Sequence, residues 1–205
     1  MTVFNLTTIQ CLPGGTAPAL SGLERMLLQA RTPSLLGCWI SEIGTLNEIV
    51  VLRRYEGNES LESEIFDARR FGANPEIGPG LLSVTNEKFA SFPGIAPITQ
   101  GKLGKFYEIR TYHLKSASES LGKTVEAWKS AVRDRAALSP LAIVMQGIDG
   151  AKRIVHIWPF RTLDERQAVR AEAFQKNLWP PRGTLQWMEG AKSSIYVPAP
   201  FSPLQ

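Results

Sequence analysis

Ile154-Val155-His156-Ile157-Trp158-Pro159-Phe160 lies over Ile49-Val50-Val51-Leu52-Arg53-Arg54-Tyr55 without a gap. Each stretch is rich in β-branched and aromatic residues and reads as a strand. Each also returns from an earlier strand that ends in a glycine-containing turn. That earlier strand is Gly37-Cys38-Trp39-Ile40-Ser41-Glu42-Ile43-Gly44 in one case and Leu141-Ala142-Ile143-Val144-Met145-Gln146-Gly147-Ile148 in the other. Two matched hairpins in one chain indicate an internal duplication.

Outward from the hairpins the match continues. Phe4-Asn5-Leu6-Thr7-Thr8-Ile9 corresponds to Tyr107-Glu108-Ile109-Arg110-Thr111-Tyr112 as an alternating strand. Helical spacing then places Leu20, Leu23 and Leu27 on one face, and Leu121, Val125, Trp128 and Val132 on another. A second helix follows each hairpin. Asn58 and Ser60 cap the first of these, with Glu59, Glu62 and Glu64 where the helix dipole favours negative charge. Thr162 and Glu165 form a capping box for the second. Leu81-Leu82-Ser83-Val84-Thr85 and Thr184-Leu185-Gln186-Trp187-Met188 close the two units as strands, each trailed by a proline-containing segment. Both halves therefore read βαββαβ, the split pattern of ferredoxin-like folds. Pro93, Gly94, Pro97, Gly101 and Gly104 mark a linker, and the chain divides into residues 1–100 and 101–205.

An antiparallel sheet with both helices on one face leaves its other face open, and a half-apolar open face needs a partner. Two such sheets in one chain can cover each other and close an eight-stranded barrel, whose interior holds side chains or one small ligand. The fold class is thus α+β, with tandem ferredoxin-like units forming a barrel within one chain.

Period-two alternation sorts the strand residues. If the helices take the apolar face, Ile109, Val155 and Ile157 lie under them. Glu108, Arg110, Tyr112, His156 and Trp158 then point into the barrel, close together on the two central strands. Asn5, Thr7, Ile9, Val51 and Arg53 occupy the matching places of the first half.

This constellation supplies the candidate site. His156, beside a tyrosine and an arginine, can serve as a general base near neutral pH, or simply satisfy a barrel hydrogen bond. Glu108 and Arg110 form an ion pair or leave Arg110 to hold a carboxylate with its planar fork. Tyr112 and Arg53 join them as ligand-binding candidates, and Trp158 is a cavity wall. His113 has the opposite parity and faces solvent. Trp39, Trp128, Trp179 and Trp187 read as packing residues.

Composition narrows the classes. With 43% hydrophobic and 20% charged residues, the chain falls among ordinary globular sequences. The segment from Met1 to Gln10 lacks the pattern of a signal peptide and no run is long enough to span a bilayer, so a cytoplasmic protein is predicted. Cys11 and Cys38 sit outside any zinc-binding spacing and read as free, buried thiols. A net charge of +4 comes with alternating signs, as in Arg161-Thr162-Leu163-Asp164-Glu165-Arg166, so no nucleic-acid partner is expected. GxGxxG, P-loop, HExxH and GxSxG motifs are missing, and no cofactor is implied.

The second half resembles the NIPSNAP family of the dimeric α/β barrel superfamily. The resemblance rests on Tyr107-Glu108-Ile109-Arg110-Thr111-Tyr112-His113-Leu114-Lys115, on Arg153-Ile154-Val155-His156-Ile157-Trp158-Pro159-Phe160, and on Pro198-Ala199-Pro200-Phe201-Ser202-Pro203-Leu204. In the first half it rests on Leu46 to Glu56 and lacks the first-strand glutamate, arginine and tyrosine. It implies the barrel fold and a molecular function that is undefined; the tandem copy either replaces the usual dimer or leaves two chains to pair through strand edges or helices, and a homodimer is the expectation. A small organic molecule bound in the barrel interior is the leading expectation. Superfamily analogy adds a cofactor-independent oxygenase, isomerase or decarboxylase using His156, and a haem site with His156 as axial ligand. An interaction module without a ligand site is the further alternative.

Overall fold

The computed structural model describes residues 2–29, 34–57, 68–117 and 119–205. The first half runs β1 (Thr2–Cys11), α1 (Thr16–Gln29), β2 (Ser34–Ile43), β3 (Glu48–Glu56), α2 (Ala68–Gly72) and β4 (Leu81–Ser91). The second runs β5 (Phe106–Leu114), α3 (Ser120–Ala136), β6 (Ile143–Gly147), β7 (Arg153–Phe160), α4 (Leu163–Gln175) and β8 (Met188–Pro198). The predicted caps Asn58 and Ser60, with Glu59, Glu62 and Glu64, lie outside the described residues.

All neighbouring strands pair antiparallel, in the closed order β1-β3-β2-β8-β5-β7-β6-β4. Within each half the first and third strands are central, as the ferredoxin-like pattern requires. The seams are β2 with β8 and β4 with β6, so each half closes the edges of the other and, among the described residues, no edge of this sheet is left open.

The helices form where the apolar spacing puts them. Val125 and Trp128 of α3 and Val169 and Ala173 of α4 are buried. At the start of α4, Oγ1 of Thr162 accepts the Glu165 N–H at 3.0 Å, and the Glu165 carboxylate reaches back to the Arg161 N–H at 2.6 Å. The capping box therefore forms with its return bond displaced by one residue.

Two expectations need correction. Leu185–Trp187 forms a 3₁₀ turn, and the closing strand begins at Met188. The polar run Glu189-Gly190-Ala191-Lys192-Ser193-Ser194 hides the strand from an apolar-alternation reading, because β8 is fixed by pairing on both sides with β5 and β2.

The assignment of faces is also reversed. Ile109, Val155 and Ile157 point into the barrel, where they pack with Phe4, Leu6, Trp39, Val50, Leu52, Phe89, Tyr107 and Tyr196. Tyr112 and Trp158 instead pack with Val125, Trp128, Val169 and Trp179 in the layer beneath α3 and α4, and Glu108, Arg110 and His156 share their parity. Ile9 and Val51 pack likewise with Leu23 and Phe71 under the first-half helices. The reason is dimensional. An eight-stranded barrel is just wide enough for its own side chains, so its closed interior takes the driest face, whereas a helix layer tolerates polar groups at its margin. A cavity of about 70 Å³ lies at one end of the barrel near Glu48, Glu87, Lys192 and Tyr196; there the Tyr196 hydroxyl donates to Glu48 at 2.5 Å.

Among the described residues, no helix is long and apolar enough to cross a membrane.

Candidate functional site

The sizeable concavity near the predicted constellation lies between the second-half sheet and its helices, with a volume of about 480 Å³. Arg110 and Tyr112 from β5, Trp158 from β7 and Ala191 from β8 form its floor. Arg166, Arg170 and Phe174 come down from α4, Arg135 enters from the last turn of α3, and Trp179 and Leu185 complete the wall. Phe174 and Leu185 are 73% and 66% exposed, so the rim is apolar. The size is that of a small-molecule site.

Glu108 sits behind the floor as the hub of the charges. It is 1% exposed, accepts from Nη2 of Arg166 at 2.7 Å and from Oγ of Ser193 at 2.6 Å, and lies 3.8 Å from Arg110 and 3.7 Å from Arg170. Burial alone would raise its pKa, but the hydrogen bonds from Arg166 and Ser193 and the charges of Arg110 and Arg166 outweigh it and hold the carboxyl below the usual range. Glu108 is therefore ionised at neutral pH.

Arg135 is almost fully buried. It gives an N–H to Oγ of Ser139 at 2.9 Å and stacks over Trp158 with its guanidinium carbon 4.1 Å from the ring centroid. Burial pushes its pKa down to about 10, opposed by Glu108, so it too stays charged. Burial likewise lowers Arg170, again opposed by Glu108.

His156 does not line this cavity. It is 0% exposed and accepts the Trp158 indole N–H on Nδ1 at 2.6 Å. Tyr112 and Trp128 meet it edge-on, with ring centroids at 4.6 and 4.9 Å. Nε2 has no hydrogen-bond partner among the described residues. Burial first, then the charges of Arg110 and Arg135, push its pKa well below the ordinary value, so the imidazole is neutral. A haem iron would have to reach Nε2 through this aromatic packing, and the residues present do not fit that group.

The structure thus gathers Glu108, Arg110, Tyr112 and Trp158 around one pocket, with His156 in the layer behind. Arg53 is not brought to it. It is buried on the helix side of the first half, with its guanidinium carbon 5.4 Å from the Tyr55 ring. Nearby, Oδ1 of Asn86 accepts from Asn5 at 3.1 Å and from Thr7 at 2.7 Å. His113 is exposed because it lies at the end of β5, on the parity that faces the barrel further along the strand.

Sequence reasoning missed Arg135, Arg166, Arg170, Ser193 and Trp179. A signal for part of this set was present. Arg166, Val169, Arg170 and Ala173 follow helical spacing, so the face of α4 that is buried carries two arginines.

Metal chemistry has little to work with: no group of His, Cys, Asp or Glu that could hold an ion occurs among the described residues. Cys11 and Cys38 are free and buried, and burial raises both thiols.

The NIPSNAP family model matches residues 107–203, which span β5 to β8. A NipSnap homologue of Dictyostelium discoideum is 22% identical over 86% of this chain and 78% of its own length. Human NipSnap homologue 2 is 26% identical over 84% of this chain, which spans 62% of that protein. A NIPSNAP family protein of unknown function from Agrobacterium tumefaciens is 32% identical over 52% of this chain and 98% of its own, with a TM-score of 0.40. An anthrone oxidase-like protein superposes on the whole barrel with a TM-score of 0.70, covering 97% of this chain and 91% of the other at 11% identity. That likeness concerns the fold alone.

Proposed function

The second half of this chain is a NIPSNAP domain, and from that premise we propose that it binds a small organic molecule in the pocket beneath α3 and α4. One observation carries the reading: a cavity of about 480 Å³ walled by Tyr112, Trp158, Trp179 and Phe174 opens beside the buried carboxylate of Glu108 and the partly exposed arginines that face it. Aromatic walls supply apolar contact and a few polar groups supply orientation, which is the usual construction of a ligand site. The barrel interior supports this role less well, since side chains from both halves fill it.

An enzymatic reading with His156 as base has weaker support. Its Nδ1 is already engaged by Trp158 and its Nε2 is enclosed by aromatic rings. A base must come within hydrogen-bond reach of the proton it removes. In the binding reading His156 positions Trp158 as a wall.

The test uses thermal shift and tryptophan fluorescence with two-ring aromatic compounds. Trp158 and Trp179 report directly on occupancy, so stabilisation should come with a change in emission. Ala191→Trp fills the floor beside Tyr112, its partner across the β5–β8 pair, and should abolish both responses. Responses that persist in that variant would place the ligand elsewhere.

A further inference from the structure

We infer that the ligand carries a carboxylate and that Arg110 and Arg170 grip it; this rests on the reading of the pocket as a small-molecule site. Four guanidinium groups, from Arg110, Arg135, Arg166 and Arg170, line the cavity, and no acidic side chain does. Glu108 lies behind them, and its Oε1 is committed to Arg166 and Ser193 at 2.7 and 2.6 Å.

The other two arginines near it are not satisfied in this way. Arg110 and Arg170 stand 3.8 and 3.7 Å from the carboxylate, beyond hydrogen-bond distance. Nε of Arg110 is buried with no hydrogen-bond partner among the described residues. Arg135 is oriented by Ser139 and by its stack on Trp158.

Four cations against one carboxylate leave the cavity electropositive. The buried walls of Trp158 and Trp179 limit the water that would screen that charge on its inner side. Arg110 rises from β5 and Arg170 descends from α4, so two planar forks reach the cavity from floor and roof. Such forks match a carboxylate bidentately. Tyr112, Trp158 and Trp179 then hold an aromatic or other flat apolar body. The ligand class is an aromatic carboxylate.

Isothermal titration of the full chain with 2-naphthoate and its neutral counterpart 2-naphthamide tests this. The acid should bind at least about tenfold more tightly than the amide, as a charge-assisted pair implies. Arg170→Gln and Arg110→Gln should each reduce acid binding by roughly tenfold and amide binding by clearly less, so that the preference for the acid shrinks in both variants. Acid affinity should stay constant from about pH 6 to 8, because guanidinium groups do not titrate there. Equal binding of acid and amide, with both lost in Ala191→Trp, would overturn the carboxylate inference and leave the pocket reading standing. A preference for the acid that survives both arginine substitutions would also overturn it. No binding of either probe, or binding indifferent to Ala191→Trp, would overturn both.

Discussion

The indole N–H of Trp158 ends on Nδ1 of His156 at 2.6 Å. This bond joins two residues of one strand face, and it ties the aromatic wall of the pocket to an imidazole that no solvent reaches. The bond requires Nδ1 to be unprotonated. Burial and the charges of Arg110 and Arg135 keep the ring neutral, and the Trp158 donor leaves its one proton on Nε2.

Replacing His156 therefore has a structural cost. His156→Ala should destabilise the fold by about 2–4 kcal/mol, combining a cavity among aromatic rings with an orphaned Trp158 donor. Urea denaturation at neutral pH measures this.

The same group gives a pH dependence. The folded pKa of His156 is depressed below the unfolded value of 6.5. Above 6.5 the residue is neutral in both states and its contribution is complete. Below it the unfolded chain binds a proton that the folded chain does not, so stability falls with pH until the folded pKa is passed. The loss approaches about 1.4 kcal/mol per pH unit. In denaturation curves between about pH 7.5 and 5, His156→Gln should lack this component of the slope.

Glu108→Gln should destabilise by about 3–5 kcal/mol at neutral pH, because it leaves the buried ends of Arg166 and Arg110 without their counter-charge. The sign of the pH effect follows from the depressed folded pKa. The stabilisation is present above the unfolded value of 4.5 and is lost as pH falls through the folded value. The gap between wild type and variant should therefore narrow in acid unfolding below about pH 4.5. A gap that stays constant there would show that the carboxylate charge is not what the variant removes.

Trp39 of the first half meets Tyr107 of the second inside the barrel, with ring centroids 5.5 Å apart. Trp39→Ala should cost about 3–5 kcal/mol. Because the contact crosses between the halves, chemical unfolding should remain a single transition, followed by emission from the second-half tryptophans.

Gly104 lies in the linker, and a Cβ there would run into the backbone of Phe160. A backbone neighbour cannot swing aside as a side chain can. Gly104→Ala should lower stability by about 2 kcal/mol or more, read as a shift of the thermal midpoint, whereas Gly122→Ala, which meets nothing on α3, should be neutral or stabilising.

Much of this molecule is decided along the chain. The gapless match of Ile49–Tyr55 with Ile154–Phe160, the helical spacing of Leu121, Val125 and Trp128, and the Thr162–Glu165 cap are local patterns. They lead to βαββαβ units and to the barrel because periodicity and capping act over a few residues at a time. Alternation also separates Glu108, Arg110, Tyr112, His156 and Trp158 from Ile109, Val155 and Ile157, and those two sets stay intact in the structure. What alternation cannot say is which set faces the barrel. That depends on how much width eight closed strands leave and on what the opposing half presents, and both are settled only when the two sheets meet. Helical spacing points to Arg166 and Arg170 on the buried face of α4, but that the helix-borne arginines meet the sheet was out of reach for a related reason. Arg135, Arg166 and Arg170 come from helices whose docking on the sheet brings them to Glu108 across distances in sequence that no local pattern spans.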